Sequence, residues 1–179
     1  MSTQTHPLPD SVACEPGLRK GMGSGVAAMY RHALQCENSE ERTHWLRESA
    51  LMGYLPAMCD YALESDDSEQ RTHLLREAAY EGYVPAMYHL ALQSGDPTTR
   101  ELWFRRAAEQ GHVAAMYELG LACDDPTERA RWLQTAAMEG HAGAMYSYAQ
   151  DCNDPKVRDR WLKQAALQGW EAAVEAMRC

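Results

Sequence analysis

With 179 residues, the chain is long enough for one domain of ordinary size and does not require a second. Its 45% hydrophobic and 24% charged content is typical of a folded globular protein and excludes a disordered chain. Its formal net charge of −9, with no visible basic stripe, excludes a nucleic-acid binder and favours a neutral or basic partner.

The first segment, residues 1–23, is rich in Gly and Pro and fits no repeat register, so we predict an irregular N-terminal arm. It contains no apolar run of the length that a signal peptide needs. No stretch of the chain approaches the roughly 18 apolar residues of a membrane span. We therefore expect a cytoplasmic protein that does not contact a membrane.

From residue 24 onward the sequence repeats itself every 29 residues. Ala-Met pairs begin at positions 28, 57, 86, 115 and 144, and glycines occupy 53, 82, 111, 140 and 169. Such agreement over five units indicates a repeat architecture. The predicted repeat domain covers 24–179, with units 24–52, 53–81, 82–110, 111–139 and 140–168 and a closing helix at 169–179.

Each unit is predicted to contain two helices. The first runs for about ten residues from the Ala-Met pair, with Pro56 and Pro85 in its first turn, where a missing N–H is tolerated. The second begins at a polar cap, which is Asn38, Asp67, Asp96, Asp125 or Asp154. Glu41 and Glu128 follow two of these caps at capping-box spacing. The recurring Gly then ends the second helix in a left-handed conformation.

The second helix places large side chains one turn before small ones. Trp132 and Leu133 are followed by Ala136 and Ala137, so the large residues of one helix can enter the gaps on its neighbour. A single unit cannot bury such a face alone, but stacked units can. We therefore predict an all-α fold, a right-handed α/α solenoid of stacked helix–turn–helix repeats.

Two segments carry a resemblance to a known family. Residues 103–111 (WFRRAAEQG) and 115–120 (AMYELG) resemble the second and first helices of the Sel-one-like repeat (SLR) family, a branch of the tetratricopeptide (TPR) superfamily. The resemblance extends over 24–179. It implies a protein-binding scaffold or adaptor that holds a partner protein or peptide in a concave groove lined by the first helices. The unit is shorter than is usual in that family, because the loop between the helices is reduced.

A second departure from the family is an arginine in place of a small residue, three positions before the Trp register. It occurs at Arg42, Arg71, Arg100, Arg129 and Arg158. Either the guanidinium donates to the carbonyl end of the preceding helix or bonds the cap Asp, or the five groups form a ladder for an anionic ligand. We favour the structural role, because a repeated structural task explains identity in every unit.

The resemblance implies that two positions in each first helix face the groove. The first register is Tyr30, Cys59, Tyr88, Tyr117 and Tyr146, and the second is Arg31, Asp60, His89, Glu118 and Ser147. The second register changes charge and size from unit to unit. That variation fits selective recognition of a partner, and it equally fits an unconstrained solvent face. The tyrosines either serve an interface or pack on the neighbouring unit; the adjacent Met register is predicted to fill the core.

The cysteines and histidines give no clear sign of a disulfide or a metal. Cys36, Cys123 and Cys152 share a register that holds serine in other units, so we expect reduced thiols at a position for a small side chain. His32 and Cys36 have i,i+4 spacing, but no third ligand is near in sequence. We therefore predict no metal site and no cofactor. His112 and His141 share a register with Tyr54 and Tyr83, which indicates a niche in the fold that accommodates a planar ring.

No Gly-rich phosphate loop, nucleophile elbow or pair of catalytic carboxylates is present, so we predict that the chain is not an enzyme. The main hypothesis is a monomeric scaffold or adaptor for a protein or peptide. The alternative is an immunity or inhibitor protein that binds and blocks an enzyme. A hydrolase is a weak third hypothesis.

Overall fold

The computed structural model describes residues 24–178, and this part of the chain is helical without any strand. The predicted N-terminal arm, residues 1–23, lies outside the described residues. The helices are α1 Ser24–Gln35, α2 Ser39–Leu51, α3 Leu55–Glu64, α4 Ser68–Tyr80, α5 Val84–Gln93, α6 Pro97–Glu109, α7 Val113–Ala122, α8 Pro126–Met138, α9 Ala142–Asp151, α10 Pro155–Leu167 and α11 Glu171–Ala176.

The chain forms two compact units, one up to Leu74 and the other from Leu75, and the division falls inside α4. In the first unit, α1 packs on α2 and α2 packs on α3. In the second unit, each helix from α5 to α10 packs on the next one along the chain. Packing of consecutive helices is what stacked helix–turn–helix repeats produce, so the predicted all-α repeat fold is confirmed.

The second helix of each repeat begins at the predicted polar cap. The carboxylate of Asp125 accepts hydrogen bonds from the N–H groups of Thr127 (2.7 Å) and Glu128 (3.2 Å). Capping-box spacing also predicts that the Glu128 side chain accepts a hydrogen bond from the backbone N–H of Asp125. This part of the prediction is wrong. The carboxylate of Glu128 instead accepts from Arg105 and from Trp132 Nε1, because a charged donor makes a stronger bond than the backbone N–H of the cap. Caps of the same kind are Asn38, Asp67, Asp96 and Asp154.

The first helices begin earlier than the Ala-Met pairs predict, by four residues in α1 and by two residues in α3, α5, α7 and α9. Gly140 has φ 94°, and its N–H donates to Ala137 O (3.1 Å) while the N–H of His141 donates to Ala136 O (3.0 Å). These two bonds make the Schellman ending of α8. His141 is also the N-cap of α9, so the three residues between α8 and α9 all belong to the end of one helix or the start of the next.

The large and small residues interlock as predicted. Leu133, Ala136 and Ala137 of α8 are fully buried. A Cβ added at Gly120 of α7 would lie 2.9 Å from Leu133 Cγ, so the leucine side chain fills the space that the glycine leaves open. The Met register also fills the core, as predicted, at Met58, Met87, Met116 and Met145.

Two of the recurring arginines satisfy the end of the preceding helix. Arg100 donates through Nε (3.2 Å) and Nη2 (2.8 Å) to the carbonyl of Ser94, the C-cap of α5. Arg71 donates in the same way to the carbonyl of Ser65 at the end of α3. Carbonyls at a helix end lack intrahelical partners, and the guanidinium supplies the missing donors across the shortened loop.

Two other arginines of this register form ion pairs instead. Arg129 Nε lies 3.1 Å from Asp151 Oδ2, at the end of α9. Arg42 Nη2 lies 2.6 Å from Glu64 Oε1, at the end of α3. All four contacts support the structural interpretation of the arginine register over the anion ladder, because each guanidinium is engaged by the fold.

Candidate partner-binding face

The predicted groove residues of the second unit lie on the side of the first helices opposite the buried alanine and methionine. In α7, Ala115 and Met116 are buried, whereas Tyr117 and Glu118 are partly exposed. The same division holds for the pairs of α5 and α9, which are Tyr88 with His89 and Tyr146 with Ser147. We define the first-helix face of this unit as these six partly exposed residues.

In the first unit, the predicted residues are less uniform. Arg31 is exposed, Tyr30 and Asp60 are partly exposed, and Cys59 is buried. Burial, helped by the negative charge of Asp60, raises the pKa of the Cys59 thiol to about 12. A thiol that keeps its proton is a poor nucleophile, so Cys59 serves packing rather than chemistry.

Two tyrosines of the second unit, Tyr88 and Tyr117, stack on the histidine that precedes the next first helix. The rings of Tyr88 and His112 lie 4.5 Å apart at 23°, and those of Tyr117 and His141 lie 4.5 Å apart at 29°. The prediction that His112 and His141 occupy a niche for a ring is therefore confirmed. These contacts fix the tyrosine rings while leaving part of each exposed.

The same histidines cap the helices that they precede. His112 Nδ1 accepts a hydrogen bond from the N–H of Ala115 (3.2 Å), and His141 Nδ1 accepts one from Ala144 (3.1 Å). An accepting Nδ1 requires the neutral ring with its proton on Nε2. The sequence predicted a ring at this position but not that the ring would act as a cap.

Burial favours the neutral forms of these stacked rings. It lowers the pKa of His141, and it lowers the pKa of His112 with a smaller contribution from the charge of His89. Burial also raises the pKa of Tyr88, and the carboxylate of Glu118 adds to this effect. The stacked pairs are thus flat, uncharged surfaces beside the polar side chains of the variable register.

Two predicted residues of the first unit contact each other. The hydroxyl of Tyr30 donates a hydrogen bond to Asp60 Oδ2 at 2.8 Å, and the Tyr30 ring packs 5.2 Å from that of Tyr54. Asp60 is therefore tied to the packing of neighbouring repeats. Replacing it would disturb the fold as well as the surface, so it is a poor probe of binding.

Sequence reasoning missed an apolar register on the same side of the first helices. Leu92 and Leu121 follow Tyr88 and Tyr117 by four residues, which places each pair on one side of its helix. Their exposed fractions are 49% and 42%. The same register holds exposed Leu34 and Leu63 in the first unit. Its 29-residue spacing was visible in the sequence, but an outward direction is evident only once the buried side is known.

A second set of exposed apolar residues lies at the C-terminal ends of the second helices. Met138 and Leu167 end α8 and α10 and are among the most exposed apolar side chains of the described residues. Glu109 occupies their register in α6. Exposed Leu51 and Tyr80 hold the same register in α2 and α4. This set therefore also recurs, but it lies on the second helices, whereas the leucines at 92 and 121 follow the tyrosines of the first helices.

Comparison with solved structures identifies the fold. A Sel1 repeat protein from Oxalobacter formigenes matches with a TM-score of 0.75 and 20% identity, covering 83% of this chain and 73% of that one. The protective antigen c5321 of uropathogenic Escherichia coli, which displays an SLR fold, matches with a TM-score of 0.76 and 18% identity. That match covers 83% of this chain and 39% of the antigen. The chain therefore has the SLR fold, and the predicted resemblance is confirmed at the level of structure.

The immunity protein PA5088 from Pseudomonas aeruginosa has the same kind of fold, with a TM-score of 0.61 and 20% identity over 85% of this chain and 68% of that one. No family model matches the sequence, and no curated protein matches it significantly. Among the described residues, no helix is both long and apolar enough to cross a membrane.

Proposed function

Starting from its SLR fold, we propose that this chain is a non-catalytic scaffold or adaptor that binds a segment of a partner protein. The binding surface is the first-helix face of the second unit together with Leu92 and Leu121. The tyrosines offer flat contact area with few rotatable bonds, and the exposed leucines offer apolar area to desolvate. Beside these residues lie His89, Glu118 and Ser147, which differ from one another in charge and size and so provide selectivity between partners.

The observation that carries the proposal is the contrast between registers. The stacked tyrosines and the buried methionines recur because the fold requires them. The leucines recur while remaining about half exposed, so packing within the chain does not explain their apolar character. A repeated apolar position beside a variable polar one is suited to a partner that lies along several repeats.

We further propose that the partner is neutral or basic and that the chain works as a monomer in the cytoplasm. The net charge of −9 favours a partner of that kind by electrostatic steering. The described cysteines Cys36, Cys59, Cys123 and Cys152 are free thiols, which suits a reducing compartment.

The test is affinity capture from the native organism followed by titration of the purified partner. The Leu92→Ser/Leu121→Ser variant removes two exposed apolar side chains from the binding surface. The matched control, Met138→Ser/Leu167→Ser, removes two from the ends of the second helices. We expect the first variant to weaken binding at least about tenfold, because two leucines are no longer desolvated, and the control to bind as the wild type does. Equal binding by both variants, with both folded, contradicts the proposed surface.

The second candidate function is inhibition of an enzyme, as in an immunity protein. The observation in its favour is the structural similarity to a protein of that description from P. aeruginosa. An inhibitor would form a tight one-to-one complex that abolishes the activity of the captured protein. A scaffold would leave the activity intact or bind two proteins at once, so assaying the captured partner separates the two functions.

A further inference from the structure

Three potential metal ligands meet in the first repeat. His32 and Cys36 lie one turn apart at the end of α1, and Glu41 lies in the first turn of α2. One ligand atom from each residue lies within 4.8 Å of those of the other two, and His32 Nε2 is 3.8 Å from Glu41 Oε1. The sequence predicted no metal site because no third ligand is near His32 and Cys36 in sequence, but the short loop between α1 and α2 brings Glu41 beside them.

The donor set matches one class of metal ion. Imidazole nitrogen, thiolate sulfur and carboxylate oxygen are the ligands of Zn²⁺, whereas Mg²⁺ and Ca²⁺ prefer oxygen alone. Zinc bonds of roughly 2.0–2.3 Å in a tetrahedral site place the donor atoms about 3.5 Å from one another. Small side-chain rotations therefore suffice to close the site. We propose that His32, Cys36 and Glu41 bind a zinc ion and leave the fourth position to water.

The local sequence explains how the site forms. Asn38 caps α2 by accepting from the N–H groups of Glu40 and Glu41, and this cap fixes where the first turn of α2 begins. The Cys36 thiol donates to the carbonyl of His32 at 3.3 Å, so the sulfur already lies over the last turn of α1. Metal binding would replace the thiol proton and release it to solvent.

The other repeats lack the complete set. Cys123 and Glu128 repeat the positions of Cys36 and Glu41, but the position of His32 is held there by the buried Leu119. Cys152 has neither a histidine nor a carboxylate at the corresponding positions, which are Tyr148 and Val157. The chain thus carries matched controls at the same place in the repeat.

Bound zinc would tie α1 to α2 and stabilise the first repeat. Because the unfolded chain does not hold the three ligands together, binding to the folded state raises the free energy of unfolding in proportion to the logarithm of free metal. The proposal is independent of the partner-binding face, which was assigned in α5, α7 and α9.

The test is calorimetric titration of the reduced full chain with Zn²⁺ alone, and a parallel titration with Co²⁺, whose thiolate complexes absorb in the near ultraviolet. We expect one ion per chain and a thiolate–cobalt band. Cys36→Ser should abolish the band, while Cys36→Ser, His32→Ala and Glu41→Gln should each weaken zinc binding at least about tenfold. Serine occupies the register of Cys36 at Ser65 and Ser94, so Cys36→Ser is expected to fold.

The controls are Cys123→Ser and Cys152→Ser, which should bind zinc and cobalt as the wild type does. The proposal is overturned if Cys36→Ser keeps the cobalt band, or if the two controls lose affinity as much as Cys36→Ser does. Weak binding of several ions that none of the variants changes would also overturn it, because it would reflect scattered surface carboxylates.

Discussion

The recurring arginine of the second helices has one of two kinds of acceptor. Twenty-two positions after Arg129 the chain carries Asp151, and the two side chains form an ion pair. Twenty-two positions after Arg100 it carries Ala122, which offers no acceptor side chain, and Arg100 bonds the carbonyl of Ser94 instead. The last residue of the first helix in the following repeat therefore determines which acceptor the guanidinium binds. The same two kinds of contact are made by Arg42, which pairs with Glu64, and by Arg71, which donates to the carbonyl of Ser65.

This difference predicts different responses to salt. We expect Arg129→Ala and Arg100→Ala each to lower the free energy of unfolding by at most about 1 kcal/mol, because both contacts are exposed. In 1 M NaCl, where the screening length falls to about 3 Å, the loss in Arg129→Ala should shrink. The loss in Arg100→Ala should persist, because its acceptor is a neutral carbonyl. Urea unfolding at low and high salt measures both, and equal salt sensitivity would contradict the assignment.

The stacked histidines make the stability of the fold dependent on pH. The folded pKa values of His112 and His141 lie below the ordinary histidine value, because burial disfavours the charged ring. The unfolded chain therefore binds more protons than the folded one just below pH ~6.5. The stabilisation from the neutral rings is complete above that pH and is lost as pH falls through it towards the folded pKa values.

We expect the variant His112→Asn/His141→Asn to lose less stability than the wild type between pH 7 and pH 5. Asparagine keeps a cap acceptor and does not titrate. The absolute stability of the variant should be lower at pH 7, because both ring stacks with Tyr88 and Tyr117 are lost. Thermal unfolding across the pH range measures the difference. The exposed His73, replaced by asparagine, is the control, and an unchanged pH profile in the double variant would refute the prediction.

At the scale of helices, the sequence predicted what is local or periodic. The polar caps, the helix-ending glycines and the buried methionines all follow from residue type and a 29-residue spacing. It failed where one residue has two tasks, since His141 both completes the turn after α8 and caps α9. It also failed where the partner is distant in sequence, as with Glu128, whose carboxylate is taken by Arg105.

The candidate sites show the same limit. The positions of Tyr88 and Tyr117 followed from the family resemblance, but their stacking partners belong to the next repeat. Periodicity alone does not give the direction of a side chain, so exposed Leu121 and buried Leu119 look equivalent in the sequence. Glu41 completes the proposed zinc site only because the shortened loop folds α2 back on α1.

The glycine that ends each second helix is required for its backbone conformation rather than for space. A Cβ added at Gly140 would meet nothing within 4 Å, but φ is +94°. We expect Gly140→Ala to lower the free energy of unfolding by about 1–2 kcal/mol, since the left-handed conformation is unfavourable for a residue with a Cβ. Gly140→Asn should be less damaging, because asparagine tolerates this conformation better.

Urea unfolding of both Gly140 variants measures the effect, and Gly95→Ala is the control. Gly95 also has nothing within 4 Å of an added Cβ, but its φ is not in the left-handed region. A loss in Gly95→Ala as large as that in Gly140→Ala would show that flexibility of the loops, and not the sign of φ, explains the destabilisation.

At the largest scale that the structure describes, each compact unit is built from helices that pack on their neighbours in sequence. Within each compact unit the packed pairs are consecutive helices, and buried residues such as Leu46 and Leu133 lie between them. In such an array, stability is close to a sum of local terms, so distant repeats can open separately. A partner that spans several repeats would stabilise all of them together, which links binding to the order of the whole chain.

This packing predicts that a substitution that destabilises one repeat affects mainly that repeat and the helices next to it. Leu46 of α2 is fully buried, and Leu46→Ala should cost about 2–5 kcal/mol by leaving a cavity. Amide hydrogen exchange should become faster in α1, α2 and α3 and remain nearly unchanged in α8, α9 and α10. The equivalent variant Leu133→Ala should give the opposite pattern, because Leu133 is equally buried in α8. Exchange that accelerates equally along the chain in both variants would mean that the repeats unfold as one cooperative body, and that packing mainly between consecutive helices does not limit how far a defect spreads.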